Sequence, residues 1–370
     1  MTVQSTAPSG LGTSLVIGGC GFVGYYIVKH LLEDREFGAV YVLDCKPDHN
    51  LLDKATYIEG DVRDVVGLRA LVDKLQPSVI FNTASPRASL PFYRFSEFIA
   101  TNIDGTKTVI DIATESDSVK ALVYTSTIDV YATPPLFNVA ETHPLWPESD
   151  KSDQYNRTKA IGDLLVQKAS NPRLRTAVLR LAHVYGERQS QGLDEVLNMC
   201  SGNKKLVQIG QGENVMEVVS ADNGALGHLL TAKALLDPSR ASGKVDGEAF
   251  NISDGAPVPF WYHNRLIWEV VRGKDALKDV MIIPAWVMIV MVNVVEWLLW
   301  IFTLNIVKPP IELRRVSLHY CIDNNTFNSE KARERLRFQP VVDHDAVVAQ
   351  GVRWALAHRA KLLKEGLKKA

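Results

Sequence analysis

Apolar and polar positions follow two rhythms along the first half of the chain. Short, nearly continuous apolar runs occupy residues 14–18, 39–44, 79–83, 121–125 and 176–181. Runs of that length without alternation are what strands buried on both faces of a parallel sheet require. Between them, apolar residues recur at helical spacing over 22–33, 65–75, 96–115 and 153–169, and 56–59 admits a further short strand. Alternation of this kind predicts an α/β protein with a Rossmann-like, doubly wound parallel sheet. The rhythm loosens after residue 190. We therefore expect a disordered lead-in over 1–12, a sheet domain over 13–190 and a smaller, mostly C-terminal region over 191–370, interleaved with late elements of the sheet.

One stretch breaks both rhythms. Residues 281–304 are apolar almost throughout, long enough to cross a bilayer, and carry Trp286, Trp297 and Trp300. Asn293 and Glu296 lie inside it, and a carboxylate is costly at the bilayer centre. A helix lying in the membrane interface fits better than a spanning one, and a buried helix lining a pocket is the third reading. Residues 343–368 form an amphipathic helical pattern with a basic end. The N-terminus lacks the basic and apolar regions of a secretory signal. The four cysteines have neither disulfide nor metal-ligand spacing, so an intracellular, reduced setting and no metal are expected. A net charge of −1 gives no reason to expect a nucleic-acid partner.

The chemistry begins at the end of the first apolar run. Gly18, Gly21 and Gly24, with Phe22 and Val23 between the last two, form G-x-x-G-x-x-G at the opening of a helix. Such glycines permit a sharp turn, a close approach of backbone N–H groups to a pyrophosphate, and tight helix–sheet packing. Asp44 ends the second run, 20 residues after Gly24. A carboxylate there accepts the ribose hydroxyls and repels a 2′-phosphate, which favours NAD over NADP, although Lys46 stands nearby. Asp61, followed by Val62, is placed for the adenine amino group, and Asp64 for capping the next helix. Thr83 and Ala84 end the fourth run and face the same crevice. Asn102, inside a helical pattern with Gly105, is either a loose turn or a polar contact supporting the cofactor site.

The fifth run ends in Thr125, Ser126 and Thr127, and Tyr155 and Lys159 follow on one helix face. A nearby ammonium and an oxidised nicotinamide both favour a phenolate. Tyr155 can then take an alcohol's proton as hydride leaves. Lys159 would hold the ribose and tune Tyr155, and the hydroxyl of Thr127, with Ser126 in reserve, would orient the substrate oxygen.

These residues together resemble the extended short-chain dehydrogenase/reductase family. The likeness continues through Arg180-Leu181-Ala182-His183-Val184-Tyr185-Gly186, where Leu181 replaces the usual proline. The resemblance implies that the backbone around His183 and Val184 holds the nicotinamide carboxamide, and that Thr127 is the catalytic hydroxyl. Within that family, residues 209–214, 222–230, 249–261 and 331–340 are similar to the branch of 3β-hydroxysteroid and sterol-4α-carboxylate 3-dehydrogenases. That branch implies oxidation of a 3β-hydroxyl on a sterol, steroid or polycyclic terpenoid, with or without loss of a neighbouring 4-carboxylate. It makes 191–370 a substrate-binding region and implies a lipophilic polycyclic alcohol as substrate. The interfacial reading of 281–304 fits such a substrate, so attachment to a membrane surface, at the endoplasmic reticulum membrane or its cytoplasmic face, is expected; a homodimer is compatible. A nucleotide-sugar epimerase or dehydratase, and an NAD-binding protein without catalysis, are the alternatives.

Overall fold

The computed structural model describes residues 10–86, 95–132, 135–150, 153–189, 192–200, 205–304, 309 and 314–369. Residues 1–9 of the expected lead-in lie outside them. Seven parallel strands form the main sheet: β1 (Gly12–Ile17), β2 (Phe37–Asp44), β3 (Thr56–Glu59), β4 (Val79–Asn82), β5 (Ala121–Thr127), β6 (Arg175–Leu181) and β7 (Glu248–Ile252). Their order across the sheet is β7-β6-β5-β4-β1-β2-β3. The chain winds outward from β1 to β3, then crosses back to β4 on the other side of β1. That reversal opens a crevice at the carboxyl ends of β1 and β4, where open α/β sheets bind ligands.

The continuous apolar runs have the expected cause. Leu15, Ile80, Leu122 and Val178 face one core, and Val16, Phe81, Val123 and Leu179 face the other. On the first face lie α2 (Val65–Leu75), α3 (Thr106–Glu115) and α4 (Gln154–Lys168), through Leu68, Val109 and Val166. On the second lie α1 (Phe22–Glu33) and α5 (Ala221–Leu236), through Ile27, Val28, Ala225 and Leu229. Asp64 caps α2 by accepting from the Gly67 N–H at 3.0 Å.

The helix expected over 96–115 is not uniform. A single α-turn, Phe95–Phe98, widens into a π-helical stretch, Ile99–Gly105, before α3 begins. The widened turn carries the fully buried Asn102 to α4, where its amide donates to the Thr158 hydroxyl at 3.0 Å. A Cβ on Gly105 would lie 2.8 Å from the Val62 side chain, so only glycine allows the stretch to settle on that residue.

The remaining chain builds the C-terminal side of the crevice. A small sheet joins Leu136–Val139, Asn325–Phe327, Val215–Met216 and Val258–Pro259 from distant parts of the sequence. The same part of the molecule includes α6 (Phe260–Arg272), α7 (Ala285–Thr303), α8 (Arg315–Ile322) and α9 (His344–Lys369); α9 packs on α6, and α8 on α7. Helix α7 is the expected apolar segment and is mostly uncovered, with Trp286, Trp297, Trp300 and Phe302 exposed. It buries Met288 and Val292 against Leu318 of α8.

One buried ion pair ties the sheet to α4. Arg180, 2% exposed, donates from Nε and Nη2 to the two carboxylate oxygens of Asp163, each at 2.9 Å. Its Nη1 donates to the Tyr131 hydroxyl at 3.0 Å and to the Glu141 carbonyl at 3.1 Å. Replacing Arg180 with Met leaves the Asp163 carboxylate buried without a cation, so urea unfolding should show a loss of roughly 3–5 kcal/mol. The double change Arg180→Met with Asp163→Leu should recover most of that loss, because no buried charge remains.

Candidate active site

The glycine loop is built by contacts that a side chain would prevent. Gly18 has φ +79°, and a Cβ there would lie 2.7 Å from the Thr83 hydroxyl. A Cβ on Gly24 would lie 2.3 Å from the Gly18 carbonyl oxygen, so the first turn of α1 rests on the loop itself. Thr83 locks the arrangement by donating to the carbonyls of Ile17 and Gly18 at 2.8 and 3.0 Å. Ala84 lies against Gly18 and donates its N–H to the Asn82 side chain at 3.2 Å. The N-cap, Gly21, supplies no side chain to the helix start. The N–H groups of Phe22, Val23 and Gly24 therefore have no partner within the helix, and the positive end of α1 points into the crevice. These features fit a dinucleotide pyrophosphate.

Asp44 is already oriented at the rim. Its Oδ2 accepts from the Cys20 N–H at 3.0 Å and its Oδ1 from the Lys46 N–H at 3.1 Å. The backbone of Lys46 thus orients the carboxylate, and the lysine side chain pairs with Asp48 at 3.3 Å. Asp61 is at the same rim, clamped by Arg63, which holds its carboxyl below the usual range. Val62 is core, packed beneath the π-helical stretch. Asn102 is walled off from the crevice by burial, so it supports α4 through Thr158.

Alternation along β5 sorts the three hydroxyls. Ser126 points to the α4 face and donates to Asp163 at 2.8 Å, both buried. Thr125 and Thr127 point to the other face; Thr125 meets His228 Nε2 at 2.8 Å. The expectation of Ser126 as a reserve catalytic hydroxyl is corrected here, because it is spent within the Arg180–Asp163 network. Thr127 is the hydroxyl beside Tyr155 and within hydrogen-bond reach of it. Its own hydrogen goes to Asp129 Oδ2 at 2.9 Å.

Helix α4 carries the other two groups. Asp153 caps it through the Asn156 N–H at 3.0 Å. Tyr155 follows at the crevice edge, against the Phe98 ring. Burial holds the Tyr155 phenol well above its ordinary pKa, with Asp129, Tyr124 and Asp153 adding to the effect. Lys159, 3% exposed, donates to the Thr125 carbonyl at 2.6 Å and lies over the Tyr124 ring. Burial lowers its pKa to about 7. In this structure its ammonium is thus directed at the end of β5 rather than at the Tyr155 hydroxyl, which differs from the expected tuning. A buried carbonyl is the nearest oxygen it can satisfy.

His183 and Val184 form a strand, His183–Tyr185, paired with Val218–Ser220. The His183 N–H is engaged by the Glu217 carbonyl at 3.3 Å. Its ring packs edge-on to His263 and against Tyr320, and burial lowers its pKa to about 4, leaving a neutral imidazole. Tyr320 of α8 stands within electrostatic reach of both Asp129 and Tyr155.

Asp129 and Tyr320 are residues of this site that the sequence reading does not single out. A threonine followed two positions later by an aspartate was a visible capping pattern for the one-turn helix Ile128–Val130. Nothing in the sequence marked Tyr320.

A family model described as the 3-beta hydroxysteroid dehydrogenase/isomerase family matches residues 15–278. Sterol-4-alpha-carboxylate 3-dehydrogenase, decarboxylating, of Schizosaccharomyces pombe is 28% identical over 346 residues, covering 92% of this chain and 97% of that protein. The mouse (Mus musculus) protein of the same description is 27% identical over 346 residues, covering 91% and 89%. Among solved structures, UDP-glucose 4-epimerase of Thermotoga maritima with UDP-glucose superposes with a TM-score of 0.70 at 21% identity, covering 95% of this chain and 99% of that one. The Bordetella bronchiseptica enzyme WbmH in complex with NAD+ gives 0.69 at 18%, covering 93% and 98%. At such identities these two show the fold alone.

The depressed pKa of Lys159 has a thermodynamic sign. Between about pH 7 and the ordinary lysine value the unfolded chain binds the extra proton, so Lys159 destabilises the fold increasingly as pH falls through that window, and fully below it. Relative to wild type, Lys159→Met should gain stability on lowering the pH from 10 to 6.5, by roughly 2–4 kcal/mol. Denaturant unfolding at both pH values checks the difference.

Proposed function

Because the chain belongs to the 3-beta hydroxysteroid dehydrogenase/isomerase family, we propose that it oxidises the 3β-hydroxyl of a sterol, steroid or polycyclic terpenoid with NAD, and removes a neighbouring 4-carboxylate when the substrate carries one. The observation that carries this reading is the meeting of Thr127, Tyr155 and Lys159 at the end of β5, beside an uncapped glycine-loop helix. The near full-length likeness to decarboxylating sterol dehydrogenases supports the substrate class.

The nicotinamide, when bound, supplies the hydride acceptor. Asp44 receives the adenosine ribose hydroxyls, which favours NAD, and the N-terminus of α1 receives the pyrophosphate. Tyr155 takes the proton of the 3-hydroxyl. Its raised pKa in the protein alone means that the phenolate forms only when positive charge arrives nearby, from the bound cofactor or from a Lys159 drawn outward by the nicotinamide ribose. Oxidation beside a carboxylate leaves a β-keto acid. The C4–carboxyl bond then breaks, its electron pair moves into the ketone as an enolate, and CO2 leaves. The Tyr155 hydroxyl, now protonated, donates to the enolate oxygen, and a proton taken up at C4 completes the ketone.

Membrane attachment is part of the same reading. Asn293 and Glu296, the two polar residues inside α7, are turned to α8, where Arg315 donates to Asn293 through its side chain and to Glu296 through its N–H at 3.0 Å. The rest of the uncovered surface of α7 is apolar. Beyond α8, Asn325–Phe327 pairs with Leu136–Val139, and Lys331 donates to Glu248 at 2.6 Å. Both ends of the hairpin thus belong to one globular body, which supports a helix lying in the interface over one crossing it. An intracellular location at the endoplasmic reticulum membrane or its cytoplasmic face suits such a helix.

Purified protein with NAD and a 4α-carboxysterol should form NADH and a ketone lacking the carboxylate. A ketone retaining it would remove decarboxylation, and turnover of UDP-sugars alone would transfer the site to an epimerase. Tyr155→Phe should lower kcat at least 10²-fold with cofactor binding retained. Cosedimentation with liposomes should be lost in Trp297→Asp with Trp300→Asp, while unfolding of the soluble protein shifts little.

A further inference from the structure

Hydrogen-bond counting at Thr127 yields a residue role that the dehydrogenase reading leaves open. The Thr127 hydroxyl has one hydrogen and two lone pairs. Asp129 Oδ2 lies 2.9 Å from Thr127 Oγ1, and the Asp129 N–H donates to the same oxygen at 3.2 Å. An ionised carboxylate can only accept. The single Thr127 hydrogen is therefore committed to Asp129, and one lone pair is committed to the Asp129 backbone. What Thr127 presents on the side of Tyr155 and the crevice is the other lone pair, which can only accept, from the Tyr155 hydroxyl or from a substrate hydroxyl.

The two forms of the substrate differ in what they need. An alcohol brings a hydrogen and can donate. A ketone, and an enolate still more, brings only lone pairs and needs donors. With Thr127 turned to Asp129, Tyr155 is the one of these two hydroxyls that can donate to the reacting oxygen.

We propose that Asp129 is a positioning residue whose carboxylate holds the Thr127 hydrogen out of the crevice, so that the site favours the 3-hydroxyl over the 3-ketone. This rests on the dehydrogenase reading, which puts the reacting oxygen beside Thr127 and Tyr155. The bias serves oxidation: the substrate meets an acceptor, and the ketone is held by one hydroxyl donor instead of two.

Protonation reverses the arrangement. A neutral Asp129 can donate to Thr127, and the Thr127 hydrogen is then free to turn toward a ketone oxygen. Burial raises the Asp129 carboxyl to about 6, partly offset by the Thr127 hydrogen bond. The titratable groups facing it are Asp153 and Tyr155 of α4 and Tyr320 of α8. Asp153 is itself raised by burial and has Arg314 near it. Ketone affinity should therefore rise as pH falls through about 6, and a variant must separate Asp129 from Asp153.

The test is binding. A 3-ketosteroid is titrated into the protein saturated with NAD, followed by calorimetry, and a 3β-hydroxysteroid into the protein saturated with NADH, followed by nicotinamide fluorescence, because neither pair can transfer hydride. At pH 7.5, Asp129→Ala should bind the ketone roughly 3- to 10-fold tighter, the worth of one hydrogen bond, with alcohol affinity changed less than about 2-fold. Asp129→Asn keeps an acceptor oxygen of the same shape. It should retain the wild-type preference at pH 7.5 but lose the gain in ketone affinity that wild type shows between pH 7.5 and 5. Equal changes in both affinities for Asp129→Ala, or no change, would overturn the proposal. So would a wild-type pH response surviving in Asp129→Asn, which would assign the titration to Asp153. If wild type binds neither steroid, the substrate reading fails and the proposal with it; if it binds both and the preference does not move, only the role of Asp129 fails.

Discussion

The site depends on a guanidinium buried between a strand and a helix. Arg180 leaves β6 into the α4 face and has no route to water, so its charge must be met inside the protein. Asp163 meets it with both oxygens, and the same carboxylate takes the Ser126 hydroxyl and the Gln167 amide. One acidic group thus joins β5, β6 and α4. Because Ser126 is fixed on that side, strand alternation sends Thr127 to the other, and because Asp163 is fixed on α4, Tyr155 two turns earlier is fixed with it. An apolar pair of the same volume could match the stability. It would not choose which hydroxyl of β5 reaches the crevice.

The fold was readable where burial is two-sided. Strands such as β1 and β5, covered on both faces, leave apolar runs that no loop would carry, and their boundaries came out within one or two residues. Strand β7 was harder. Its segment could be assigned by likeness, yet a short run, Ala249-Phe250-Asn251-Ile252, with a polar residue inside, has no period of its own. The polar residue is explained by its contacts: Asn251 accepts from the Tyr131 hydroxyl at 2.6 Å and donates to the Val139 and Asn328 carbonyls, all distant in sequence.

At the site, residue types were legible but directions were not. Gly18, Gly24 and Asp44 occupy positions where spacing alone constrains the backbone. The choice between Ser126 and Thr127 depends on strand pleat relative to a helix the sequence does not orient. The aim of Lys159 depends on which oxygen is within reach once it is buried. Asn102 is similar: its cost to a helix was visible, but the π-helical turn that carries it to Thr158 arises from packing against α4. In α7 the same limit applied to Asn293 and Glu296. They counted against a bilayer segment until α8 supplied the donors, and those donors come from beyond the end of the helix they satisfy.

The proposed membrane seating of α7 would also alter what concentration means for this protein. Arg315 and Leu318 attach α8 to the exposed apolar helix, and Tyr320 of the same short helix faces Asp129 and Tyr155. Were α7 seated among lipid headgroups, as proposed, the helix that carries Tyr320 and a sterol dissolved in the bilayer would share a plane. The quantity that governs occupancy would then be the mole fraction of substrate in the membrane, not its molarity in the tube. Adding inert lipid at fixed sterol would dilute the substrate without changing the volume of the solution.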